Sequence, residues 1–109
     1  MEKLMLTNEL RDFIIRYYEK RNLMWPDFDN AMKFVHTELG EVYEVDLARR
    51  GEWVRNNPDK KPPFDLDQLA SELGDVIMMV MVAGIVEGVD PLEALINKMC
   101  KKIGGHRNE

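Results

Sequence analysis

Two acidic tetrads, Glu38-Leu39-Gly40-Glu41 and Glu72-Leu73-Gly74-Asp75, repeat one pattern within the chain. In each, two carboxylates stand three residues apart, the spacing that puts them on one face of a helix. Two such pairs brought face to face repel one another unless a cation sits between them. Hard divalent cations such as magnesium take oxygen ligands, and carboxylates supply them. Glu38, Glu41, Glu72 and Asp75 are therefore the candidate metal ligands. A single acidic pair on a helix is most often a solvated surface; the near-identical repeat, set among apolar residues, is what makes a site of it. A glycine in mid-helix costs about 1 kcal/mol relative to alanine. Its recurrence at the same place in both tetrads leads us to expect close approach of two backbones, or of a ligand, at Gly40 and Gly74. Neither tetrad holds the Glu-x-x-His of di-iron bundles. His36, two residues before Glu38, is rotated away from the acidic face. Magnesium is the expected metal, with manganese as the alternative.

The elements that must position these acids are helices. Leu10, Phe13, Ile14 and Tyr17 recur at helical spacing and predict a first helix from about Asn8 to Arg21, with Thr7 or Asn8 as its cap. Asn22 to Phe28 reads as a loop broken by Pro26 and Asp27. Met32, Val35, Leu39 and Val42 form the apolar face of a second helix, Asp29 to Arg50, stopped by Gly51. Gly51 to Phe64, with Pro58, Pro62 and Pro63, is a long loop of the kind that more often carries function than not. A third helix starts near Asp65 or Asp67 and ends at Gly88. Its second half, Val76 to Val86, is apolar on every side, which predicts burial all round and hence a subunit interface. Asp90-Pro91, with Glu93 three residues after the cap, opens a fourth helix that runs to about Ile103 before Gly104-Gly105.

Composition bounds the function. At 109 residues, 45% apolar and 32% charged, the chain reads as one globular domain spanning residues 1–109. A net charge of -5 argues against a broad nucleic-acid surface. Cys100, the one cysteine, asks for no oxidising compartment. Glu2, Lys3, Glu9 and Arg11 interrupt the N-terminus, which lacks the apolar core of a signal peptide. The run Val76 to Val86 is too short to span a bilayer. A cytoplasmic protein with no membrane partner is expected. The fold class expected is all-α, a four-helix bundle completed by a homo-oligomer, dimer or tetramer.

Trp25-Pro26-Asp27-Phe28-Asp29-Asn30, then Glu38-x-x-Glu41, then Glu72-x-x-Asp75-Val76, resembles the MazG-like nucleotide pyrophosphohydrolases, over a stretch from about Phe13 to Lys102. That resemblance implies an all-α, oligomeric, magnesium-dependent enzyme that cleaves a nucleoside triphosphate to the monophosphate and pyrophosphate. It implies Glu38, Glu41, Glu72 and Asp75 as metal ligands, with Glu38 or Glu41 orienting the attacking water or accepting its proton. Thr37 stands where many bacterial members carry a further glutamate, and Lys102 where an asparagine is common. With a triphosphate as ligand, Lys98 and Lys101 are candidates for the outer phosphates, or else compensate the dipole of their helix. Trp25, Phe28 and Trp53 are candidates for stacking the base, or else anchor core and loops. Asn30 either hydrogen-bonds a ligand or helps to cap its helix. Two other readings stand beside this one: phosphoribosyl-ATP pyrophosphohydrolase, of related fold, and a non-catalytic metal-binding helical oligomer.

Overall fold

The computed structural model of the chain describes residues 2–51 and 65–104. Among these there are four α-helices and no strand: α1 Glu2–Lys20, α2 Phe28–Arg49, α3 Leu66–Glu87 and α4 Pro91–Lys102. The all-α class is as expected, and the expected long loop, with its Trp53, falls on residues outside those described.

Three of the four helix starts are set by an aspartate in extended backbone whose side chain accepts a backbone N–H of the first turn. Asp27 accepts from Asn30 at 2.8 Å, Asp65 from Asp67 at 2.9 Å and Asp90 from Glu93 at 3.0 Å. The first helix differs from expectation. It begins at Glu2, and Thr7 and Asn8 lie inside it rather than capping it. Glu2, Lys3, Leu4, Met5 and Leu6 are all strong helix formers, and their summed preference carries the helix through two cap-type residues. Gly88, with φ of 77°, ends α3 in the left-handed conformation that glycine adopts without cost.

Packing turns on α2 and α3. Ala31 and Val35, early in α2, share a core with Met79, Val82 and Ala83, late in α3. Glu38, further along α2, meets Glu72 and Asp75, earlier in α3. Positions that rise on one helix pair with positions that fall on the other, so the two run antiparallel. α1 packs on α3 and α4 and sends Ile14 and Tyr18 into the core. At the α3–α4 turn a Cβ on Gly84 would lie 2.5 Å from Pro91 Cδ and 2.8 Å from the Val89 carbonyl oxygen. Glycine is required there. At Gly40 and Gly74 a Cβ would meet nothing within 4 Å. The close approach expected at these two glycines does not occur within the chain, because both are turned out of the α2–α3 seam, two residues and so about 200° round the helix from Glu38 and Glu72.

The core is small for the number of apolar residues. Met79, Met81, Val82 and Ala83 are buried, yet Ile77 and Val80 on the same apolar run are 56% and 38% exposed. Burial of α3 all round is thus not achieved by one chain. The Cα radius of gyration, 17.2 Å, exceeds the ~13 Å of a compact domain of this length. Taken whole, α3 is long and apolar enough to cross a membrane by length and composition, which the run Val76 to Val86 alone is not. The same helix carries Glu72 and Asp75 and packs along α2.

Candidate metal centre

The i, i+3 spacing in each tetrad and the antiparallel pairing of α2 with α3 bring the two acidic faces together. One carboxylate oxygen from each of Glu38, Glu72 and Asp75 lies within 4.8 Å of the other two, and all three residues are half-buried. Glu41 is exposed, and its carboxyl is a hydrogen-bonding neighbour of both Glu38 and Glu72. Three of the four acids singled out in the sequence therefore meet at one place, and Glu41 stands beside two of them.

Their electrostatics follow from crowding with no counter-charge among the described residues. Burial, then the like charges of Glu41 and Asp75, hold the Glu38 carboxyl above the ordinary carboxylate range. Burial also comes first for Glu72, followed by its hydrogen bond with Glu41 and the charges of Glu41, Asp75 and Glu38; its pKa is raised too. The ion pairs among the described residues join Lys33 to Asp29 and Arg49 and Arg50 to Asp46, and none reaches the quartet.

Acidic clusters occur on protein surfaces without any ion, so the fit to a cation must come from something more. It comes from Glu72, whose Oε1 is screened from solvent and has no hydrogen-bond partner. A buried carboxylate oxygen left unpaired is costly. A cation bound by the Glu72 carboxylate could satisfy it, and an all-oxygen donor set suits a hard divalent ion.

The remaining singled-out residues are more scattered. Trp25 lies beside the core with its ring stacked on that of Tyr18, centroids 4.2 Å apart and planes at 11°. Phe28 is the first residue of α2 and is exposed. Asn30 gives its backbone N–H to the Asp27 cap, while the residue as a whole is exposed. Lys98 and Lys101 are exposed on α4, a helix that packs on α1 and α3 and not on α2. His36 is exposed on α2. Reading the sequence missed Tyr18 as the partner of Trp25, and it missed an aromatic–arginine pairing along α1. The second had a visible signal: Phe13 and Arg16, and Tyr17 and Arg21, stand three and four residues apart.

Comparison of the chain with models of known families, with curated proteins and with solved structures gives no match.

Proposed function

We propose that the protein is a magnesium-dependent nucleoside triphosphate pyrophosphohydrolase, yielding the nucleoside monophosphate and pyrophosphate, of the kind its tetrads resemble. The observation that carries this reading is the convergence of Glu38, Glu72 and Asp75, with Glu41 beside Glu38 and Glu72 and an oxygen of Glu72 left without a partner. Magnesium or manganese held by these acids would offset the charge of the triphosphate and acidify the attacking water. Glu38 or Glu41 would orient that water or accept its proton. Lys98 and Lys101 would hold the outer phosphates, and Trp25, Phe28 and Trp53 would receive the base. A nucleotide substrate goes with a cytoplasmic location.

The site belongs to an oligomer in this reading. Leu66, Leu73, Ile77 and Val80 are exposed on α3 at intervals of seven, four and three residues, so they share one stripe of the helix. Met32, Leu39 and Tyr43 repeat the seven and four on α2. Two α2–α3 hairpins pairing through such stripes would make the four-helix bundle that one chain lacks.

The deciding experiment measures pyrophosphate release from ribo- and deoxynucleoside triphosphates with magnesium, with manganese and with chelator. Metal-dependent release with the matching monophosphate is expected, and Glu41→Ala or Asp75→Ala should abolish it while leaving the fold intact. A fully active Glu41→Ala protein would overturn the assignment. Turnover of phosphoribosyl-ATP alone would move the activity to that substrate. Metal-dependent stabilisation without turnover of any of these would leave a non-catalytic metal-binding oligomer.

A further inference from the structure

Away from the acidic quartet, α1 carries a groove of about 600 Å³ whose charge is the reverse of the molecule's. Three cations line it, Arg16, Lys20 and Arg21, and no carboxylate does. Among the described residues none of the three forms an ion pair. Ile14 and Met78 form its apolar floor. The Arg16 guanidinium sits over the Phe13 ring, 5.0 Å from its centroid, and the Arg21 guanidinium lies 5.3 Å from that of Tyr17. Of the acids of this helix, Glu19 stands between Arg16 and Lys20 in sequence without lining the groove, and Glu9 and Asp12 line a neighbouring hollow that shares Phe13 and Arg16 with it.

Three exposed cations within six residues, with Glu19 as the one acid among them, concentrate positive charge on one face of a chain of net charge -5 and so attract an anion. A guanidinium resting on an aromatic ring is held in place by the ring's negative face. Its other face accepts a planar group by stacking, and its N–H edge serves phosphate oxygens. The groove is open to solvent, so a compact ligand laid on it keeps one face in water.

We infer that this α1 groove binds a small anion that carries a planar ring, of the size and charge class of a nucleoside diphosphate. Arg16, Lys20 and Arg21 engage the phosphates, and the ring stacks on the guanidinium–aromatic pairs above the floor of Ile14 and Met78. The inference does not rest on the pyrophosphohydrolase reading, because none of the four acids lines the groove.

The test is binding of ADP to the full chain in excess chelator, followed by NMR with the Met78 methyl and the Tyr17 ring as reporters. Chelator silences any metal-dependent site, so the groove is read by itself. Saturable binding is expected, with shifts at Met78 and Tyr17. It should weaken about tenfold or more, equivalent to ~1.4 kcal/mol, in a Lys20→Glu variant and in an Arg16→Ala/Arg21→Ala variant. These side chains are exposed, and melting curves check that the variants fold. Glu41→Ala should bind ADP as the parent does. No saturation at millimolar ADP, or affinity unchanged by Lys20→Glu, would overturn the inference. So would displacement of ADP by inorganic phosphate at equal concentration, since the ring would then contribute nothing. Binding of a poly-glutamate peptide in place of ADP would overturn it in favour of an acidic protein partner.

Discussion

Glu38 and Glu72 owe their raised pKa values first to burial and then to the like charges and hydrogen bonds of the acids around them. The consequence for stability has a definite sign. A carboxyl whose folded pKa lies above its unfolded value contributes stability that is complete below the unfolded value, here 4.5. That contribution is lost as pH rises through the folded value. Asp46 works in the opposite sense: its pKa is lowered chiefly by the hydrogen bond from Arg49, with Arg50 adding charge. Its contribution is present at neutral pH and is lost on acidification. The parent's pH profile mixes the two, so the informative quantity is the difference from a Glu38→Gln/Glu72→Gln variant. In chelator, the variant should gain on the parent in melting temperature as pH rises from 4.5 towards 7. Magnesium should reverse that order at pH 7, raising the parent by about 2.7 kcal/mol at a hundred times its dissociation constant and the variant far less. Parent and variant curves that stay parallel across this range would remove the electrostatic argument for the site.

Among the helices, the three internal glycines test where backbones meet. Gly40 and Gly74 face open space in a single chain, so alanine at either should stabilise by about 0.5–1 kcal/mol through helix propensity alone. Gly84 abuts Pro91 and the Val89 carbonyl, and Gly84→Ala should cost about 1–3 kcal/mol by forcing the α3–α4 turn apart. Urea midpoints of the three variants decide the matter. A loss at Gly74 in place of a gain would mean that another copy's backbone lies against it. The caps follow a simpler rule. Asp90→Ala removes the acceptor for the Glu93 N–H and should cost about 1 kcal/mol. The caps at Asp65 and Asp90 and the glycine stops were visible along the chain because their effects are local, whereas Asp27, read as part of a loop, caps α2. The start of α1 was not, because propensity summed over several residues outweighed two residues that favour caps.

At the scale of the whole molecule, the exposed stripe of Leu66, Leu73, Ile77 and Val80 is out of proportion to the core beneath it. Burying one such side chain gains about 1.5–3 kcal/mol, so four on each of two chains form a strong drive to associate. Sedimentation of the parent should give a dimer or a larger assembly. Leu73→Glu/Ile77→Glu should shift it to monomer, because burying two carboxylates without partners would cost more than the remaining contacts return. A parent that sediments as monomer at tens of micromolar would refute the oligomer reading. Alpha-helical class, helix order and the meeting of Glu38 with Glu72 and Asp75 were all legible in advance. Periodicity fixes faces, and a two-helix hairpin leaves few ways to pair them.

Residue types and spacing alone determined which carboxylates share a face and where three of the helices begin and end, since both are governed by neighbours three or four positions away. Tertiary structure decided the rest. It showed that Gly84, and neither Gly40 nor Gly74, is the position where space is short. It set Trp25 against Tyr18, and it left Ile77 and Val80 uncovered in a run that reads as buried. Each of these depends on how far apart two segments distant in sequence come to lie. That distance is set by the packing of whole helices and is written in no single stretch of the chain.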